Sequence, residues 1–555
     1  MKLKYSLLTL ALASAAAQSV ERLPATPIED TVIASSGSVK KSTTYNMPII
    51  TWGGDVATIY ANGAKTTSNG SLVATTPVRL ELNRKDRFQD QIREYMKGDS
   101  PFLRGTMSMI NLAAAAVKGN DDLTPVVISQ LSWSEGGDAL VVKGGLKPAE
   151  LCDKSIAINA FGPHLNYANR VLSDAGCDVS KIDFFYTRDL TGTENTPAEA
   201  LFDSNVDAAF VITPDALALT SGGNVGSGAE GSVKGASIVM STASASRVIT
   251  DLIAVRKDFY DQNKDSLDSL VMALLKAQEA LPAAVNAPML KTDAAELLFD
   301  SKMAVDEIEP LVGDAYISNF QDNQAFFTGN TARNFEVIKN ETAQGLLAMG
   351  AIKSPGTVLK ADINYRLHAN GYAAKIEQPR FDTKSLSAVV DKKQKQNTLD
   401  NDTLYSFDVY FKPNQRGFDS SLYQSEFEKV IELSGAYSGS VILIEGHSDP
   451  MGYLRKAKSG SNNVVLNRMK QGLKNLSLNR ATEVRQSVIE MGEMNKLYLD
   501  PSQFTVIGHG ISQPKTGICG DQPCAPKSEA QWLSNMRVTF RLLNVEAEET
   551  AFSPL

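Results

Sequence analysis

CDKSIAINAFGPHLNYANRVLSDAGC, residues 152–177, reads as one strand, one turn and one helix with a cysteine at each end. Ile156–Ala160 has the apolar, β-branched make-up of a buried strand. Phe161-Gly162-Pro163-His164 is the turn, and Pro163–Ala175 is the helix, with proline at its first position where the missing N–H is harmless. Five strand residues rise about 16 Å and twelve helical residues about 18 Å, so the helix returns the chain to the level where the strand began. That return brings Cys177 back beside Cys152. The other two cysteines, Cys519 and Cys524, flank a short turn-rich loop, and in an oxidising compartment all four read as two disulfides. Free buried thiols are the alternative.

The same alternation extends outward from this unit. Strands are expected at Met47–Thr51, Val78–Leu82, Val126–Gln130, Ala139–Val142, Ile182–Tyr186, Ala208–Ile212 and Ser237–Met240. Amphipathic helices are expected at Lys85–Met96, Phe102–Val117 and Leu267–Ala280. Strands alternating with helices of this length imply α/β architecture with parallel-rich sheets. About 300 residues is large for one sheet, so two lobes are expected, within residues 44–376.

Ligand groups in such a fold belong where strands end and helices begin. Three glycine-bearing turns qualify: Trp52-Gly53-Gly54, then Ser134 with Gly136 and Gly137, then Phe161-Gly162 with His164. Trp52 offers a flat apolar wall, and the amides opening the His164 helix are available to an anion. Taken singly, each turn is better explained as a plain tight turn; it is their coincidence at three strand ends that points to a site.

The segments GGDALVVKGGLKPAELCDKSIAINAFGPHLNYANRVLSDAG (136–176), TPAEALFDSNVDAAFVITPDALAL (196–219) and DLIAVRKDFYDQNKDSLDSLVMALL (251–275) resemble periplasmic solute-binding proteins of ABC importers, of the nitrate/sulfonate/taurine and thiamine-precursor type. The resemblance implies two lobes closing over a small, anionic solute, with a membrane permease as partner if an importer is involved.

Residues 377–404 are polar and charged, lack sustained apolar periodicity, and read as a linker. From 405 to 545 the pattern becomes a small α+β unit: strands at Ser406–Phe411, Ser440–Glu445, Phe504–His509 and Arg537–Leu543, helices at Ser421–Ser434 and Asn479–Met491. VILIEGHSDPMG (441–452), LSLNRATEVRQSVIEMG (476–492), FTVIGHGISQP (504–514) and NMRVTFRL (535–542) resemble, in order, the motifs of the OmpA-like peptidoglycan-binding domain. The resemblance implies that Asp449 and Arg480 grip the diaminopimelate of the wall peptide, with Arg537 an accessory contact. An anion and a bidentate guanidinium at fixed separation suit an amino acid's paired ammonium and carboxylate. Ser477 is placed to cap the Asn479 helix, adding its amides to that site. Asp449 and Arg480 stand 31 positions apart, about twice the interval of the resemblance, and the extra segment either forms a surface loop or covers the pocket.

The N-terminus sets the compartment. Lys2 and Lys4 precede the apolar run Leu7–Ala13 and the small residues Ala15–Ala17, the layout of an export signal spanning 1–17. This predicts a periplasmic protein associated with the wall or outer envelope, with no transmembrane segment. A net charge of −8 with no concentration of Lys and Arg argues against nucleic acid as a partner. The four histidines are scattered without a metal-ligand spacing, and no nucleophile motif or phosphate loop is present. The expectation is a protein without cofactor, metal or enzymatic activity.

Overall fold

The computed structural model describes residues 20–369 apart from 330, residue 372, scattered positions from 381 to 401, and residues 403–411 and 420–543. The candidate export signal lies outside the described residues.

Strands β1 (Thr44–Ile49) and β2 (Arg79–Arg84) pair in parallel at one side of the first lobe. Beside them stand β3 (Phe102–Thr106) and β4 (Pro125–Ser134), the latter buried at every position. The chain then crosses into a second lobe, built from β5 (Asp138–Lys143), β6 (Ser155–Asn159), β7 (Asp183–Thr187), β8 (Ala208–Ile212) and β9 (Ala236–Ser241) in the order β7-β6-β8-β5-β9. It returns through β10 (Thr250–Arg256) to the first lobe, whose sheet has the order β11-β4-β10-β3, with β11 (Ala315–Ile317) at one edge and the short β12 (Leu359–Lys360) also on β4.

This is the two-lobed α/β architecture expected from the sequence. Strands joined through helices, such as β6 with β7 and β8, pair in parallel. One chain leaving and re-entering a lobe makes the crossing strands antiparallel, as in β4 with β10 and β5 with β9. Each fully buried Val, Leu or Ile in these strands contributes about 1.5–3 kcal/mol.

The helix of the opening sequence runs His164–Asp174, and Cys152–Cys177 is a disulfide with Cα atoms 5.1 Å apart. Cys519–Cys524 is the second disulfide, closing the two-residue strands β16 (Ile518–Cys519) and β17 (Gln522–Pro523). One helix expectation needs correction. Phe102–Val117 splits into β3 and a helix over Met107–Ala116, because Phe102–Thr106 pairs with β10 while the Thr106 hydroxyl accepts from the Met109 amide and starts the helix there.

The C-terminal unit is a four-stranded sheet, β13 (Thr403–Tyr410), β18 (Arg537–Leu543), β14 (Val441–His447) and β15 (Phe504–Gly510) in that order. Only β14 and β15 among these pair in parallel. Helices Gln424–Ala436 and Asn463–Met494 complete it. Part of the stretch expected to be a linker belongs to this unit: Phe381, Leu386, Val390 and Leu399 are buried against Val441, Leu443 and Leu543. The i, i+4 pair Leu386 and Val390 is too short an apolar signal to stand out among its charged neighbours.

The unit is seated on the second lobe and on the return crossing. Gly439 donates its N–H to the Ser244 carbonyl at 3.2 Å, and Arg247 donates its own to Ala436 at 3.1 Å. A Cβ at Gly439 would fall 1.6 Å from the Ala243 carbonyl oxygen, so only glycine allows this approach. Arg170 of the His164 helix binds Glu432 at 2.6 Å, and Asp174 accepts from Lys429 and Tyr437. No helix among the described residues is long and apolar enough to cross a membrane.

Candidate functional site

Two polar centres stand out, one at the junction of the lobes and one at the end of the C-terminal sheet. At the junction, the ends of β1 and β4 meet. Trp52 Nε1 donates to Ser132 Oγ at 3.0 Å, and the indole lies across Gly137, where a Cβ would come within 2.4 Å of the ring. Gly53 and Gly54 pack on the Leu311 carbonyl and the Ser132 hydroxyl. Ser134 Oγ bonds Asp138 at 2.6 Å and Thr242 at 2.8 Å, while Thr242 Oγ1 accepts from the Gly136 and Asp138 amides. The first two turns are thus brought together.

From the third turn, His164 also arrives: its Nε2 lies 2.7 Å from Asp138 Oδ1, and the residue is fully buried. That imidazole is engaged by the chain's own carboxylate rather than left for a ligand anion. Phe161 is in the core, and Gly162 packs on Asn159, which bonds the Thr187 and Arg188 carbonyls.

Beneath the tryptophan lies a buried triad that the sequence alone does not reveal. Arg104 binds Asp55 through Nη2 at 2.7 Å and Asp251 through Nη1 at 2.7 Å, and Ser132 Oγ joins Asp251 to Trp52. Burial pushes the Asp55 carboxyl up to about 7: Arg104 opposes this, but one guanidinium serves two carboxylates. Burial raises Asp251 as well, despite Arg104 and Ser132. Asp314, beside Gly136 and Gly137, is raised to about 6 by burial and by Asp138. Asp215, in the first turn of the helix Thr213–Leu219, is raised by burial. Of these acids, only Asp55 belongs to a glycine turn, Trp52-Gly53-Gly54-Asp55; the rest are separated from the turns in sequence, so local spacing could not gather them.

At the C-terminal sheet, Asp449 follows β14 and accepts from the Met451 amide at 2.9 Å through Oδ2, while its Oδ1 is buried without a partner. Burial raises its carboxyl, against the opposing pull of the Met451 amide and of the nearby Asn535 and Trp532 side chains. Arg480 lies with its guanidinium 5.5 Å from the Phe411 ring centroid, and among the described residues no carboxylate forms a salt bridge with it. Phe411 donates to the Met536 carbonyl next to Asn535, at the same end of the sheet as Asp449. Arg537 is buried, within 3.5 Å of Asp408, with Nη1 unpartnered.

Ser477 does not cap a helix. The helix there runs without a break from Asn463 to Met494, 32 residues, and its cap is Asn462, which accepts from the Val465 amide at 3.0 Å. Ser477 is buried mid-helix, accepting from the Gly510 amide at 2.8 Å and thereby fastening the helix to β15. Arg480 therefore lies inside its own helix and not at that helix's N-terminus. The extra segment is not a loop: it forms the helix Met451–Lys458 and the first half of the long helix. Strong helix formers continue through it, with no proline to stop them.

Behind Asp449, donor atoms of Glu445, His447 and His509 lie within 4.8 Å of one another. Glu445 is already held by His509 at 2.8 Å and by Arg541 at 2.5 Å, which counters the burial cost and brings its carboxyl down to about 2. Burial, aided by Arg537 and His509, lowers His447 to about 3. A cation there would face two guanidiniums, so the cluster is read as a hydrogen-bonded network.

No protein-family model and no curated protein matches the chain. Among solved structures, the alkanesulfonate-binding protein of Xanthomonas axonopodis pv. citri, bound to MOPS, aligns at 14% identity and TM-score 0.39, over 58% of this chain and 100% of its own. The periplasmic aliphatic sulphonate-binding protein of Escherichia coli aligns at 14% and 0.38, over 61% of this chain and 97% of its own. The periplasmic nitrate-binding protein of Synechocystis aligns at 15% and 0.35, over 57% and 93%. Likeness of this degree decides nothing about ligand or partner; the two-lobed description rests on the chain's own crossings.

Proposed function

We propose that this chain is an exported solute-binding protein held non-covalently to peptidoglycan by its C-terminal unit, with Asp449 and Arg480 taking the ammonium and carboxylate of diaminopimelate. The observation that carries the tether is Oδ1 of Asp449, buried and without a well-formed hydrogen bond although Asn535 and Trp532 lie near the carboxyl, at the sheet end where Arg480 lies on Phe411 with no salt bridge among the described residues. Buried polar atoms without partners are rare, and a ligand is one of the few reasons to keep one. The solute-binding half rests on two lobes whose glycine turns meet at the crossing. An importer's permease would receive the solute.

In the second reading the two-lobed part is a wall-anchored scaffold or sensor that docks a protein. The indole of Trp52 lying across Gly137 favours it, since that ring takes up space a solute would use. Sedimentation with purified sacculi tests the tether. Asp449→Ala or Arg480→Ala is expected to move most of the protein to the supernatant; unchanged pelleting of both would defeat the assignment.

A further inference from the structure

The solute-binding reading leaves the class of solute open. Resting on that reading, we propose that the junction of the lobes takes a small organic cation bearing an ammonium group, not an anion. Each guanidinium facing the junction is already matched: Arg104 by Asp55 and Asp251, Arg247 by Glu135 at 2.9 Å. His164 is matched by Asp138. Two carboxylates remain. Asp314 has no side-chain hydrogen bond or ion pair among the described residues, and Asp215, which has only the neutral Thr191 hydroxyl as a hydrogen-bond donor, keeps a buried Oδ2 with no partner.

The two come from opposite lobes. Asp314 immediately precedes β11 of the first lobe, and its Cβ would lie 3.4 Å from a Cβ at Gly137. Asp215 follows β8 of the second lobe, and its turn is tied to the same crossing because the Thr213 amide donates to the Gly137 carbonyl at 2.8 Å. Both carboxylates thus stand at the crossing by Gly137 with no cationic side chain paired to them, and a positive head group would supply the missing charge. A sulfonate or nitrate would add to the negative charge there.

Two further features point to an organic cation. His164 is fully buried in this cluster, with Nδ1 lacking any partner, a polar atom that a hydroxyl or amine would satisfy. Trp52 supplies an aromatic face, which attracts ammonium groups and does nothing for a bare metal ion in its hydration shell. At the mouth, Arg87 of the first lobe and Arg188 of the second share Asp189, but both are about half exposed and screened by solvent.

The test uses the full-length protein, thermal shift and titration calorimetry. The probes are 1,4-diaminobutane, ethanolamine and choline as ammonium compounds, methanesulfonate and nitrate as anions, and calcium chloride as a bare cation. At least one ammonium probe is expected to raise the melting temperature. Asp314→Asn and Asp215→Asn are each expected to weaken that binding at least tenfold, while the unliganded variants melt no lower than the parent. Binding of an anion with the ammonium probes silent would overturn the inference and leave the solute-binding reading standing. Stabilisation by calcium alone, or ammonium binding indifferent to both substitutions, would also overturn it. Silence of all six would remove the inference and count against solute binding itself.

Discussion

Asp55 and Glu445 are both fully buried carboxylates, one at the lobe junction and one in the C-terminal sheet, and their environments drive them in opposite directions. Asp55 shares Arg104 with Asp251, so burial prevails and its proton is held up to about 7. Glu445 has two donors, His509 and Arg541, and the other carboxylate on Arg541, Asp400, is exposed to solvent; pairing prevails, and its pKa falls to about 2. Burial alone does not set the charge state of an acid; the ratio of donors to carboxylates does. The junction is short of positive charge, and the C-terminal network is not.

The sharpest way to break this comparison is Arg104→Met. It strands two carboxylates at once and should cost about 3–5 kcal/mol in urea unfolding. Arg541→Met leaves Glu445 its histidine and should cost about 2 kcal/mol. Equal losses would show that the two centres do not differ as described.

The disulfides give the next effect. Removing Cys152–Cys177, which closes 25 residues, should cost about 3.5 kcal/mol on loop entropy, against about 2 kcal/mol for Cys519–Cys524, which closes five. Thermal melts of the two double-serine variants check the order.

Acidification separates the regions by sign. Asp55 has a raised folded pKa, so between about pH 4 and 7 the folded state holds more protons than the unfolded chain and the first lobe gains stability as pH falls. His447 is lowered from 6.5 to about 3, so the unfolded chain takes the proton first and the C-terminal unit loses stability as pH drops below 6.5. Between pH 7 and 5 each change is on the order of 1–2 kcal/mol. Trp532 reports the C-terminal unit and Trp52 with Trp133 the lobes, so single-tryptophan variants can follow both. Parallel pH responses would refute the contrast. The smallest effect is Asp55→Asn, expected to change stability by less than about 1 kcal/mol at pH 6, where the carboxyl is already mostly protonated.

Much of this is legible in the sequence where short-range pattern decides structure. Ala208–Ile212 stands where its continuous apolar run puts it and Arg537–Leu543 where its alternation does, and the cysteine pairing follows from the length of one strand and one helix. Phe102–Val117 misleads because its apolar content suits either element, and only pairing with β10, about 150 residues away, decides it. The long helix reads as starting at Asn479 because the segment before it is dominated by basic and amide residues, although Leu466, Met469 and Leu473 already recur at helical spacing and are half-buried. Of the candidate site, the glycine turns and the pair Asp449 and Arg480 can be named from sequence. The Arg104 triad cannot, since its members lie 49 and 147 positions apart and meet only once both crossings are made.

Residues 244–247 serve two masters, as the path back between the lobes and as the seat of the C-terminal unit. Lys429, Glu432 and Tyr437 bind the His164 helix of the second lobe, and Lys147 of that lobe reaches the Asp400 carbonyl. The second lobe and the C-terminal unit therefore share one frame of reference. A displacement of the first lobe about the crossings would be read against the second lobe and the C-terminal unit together.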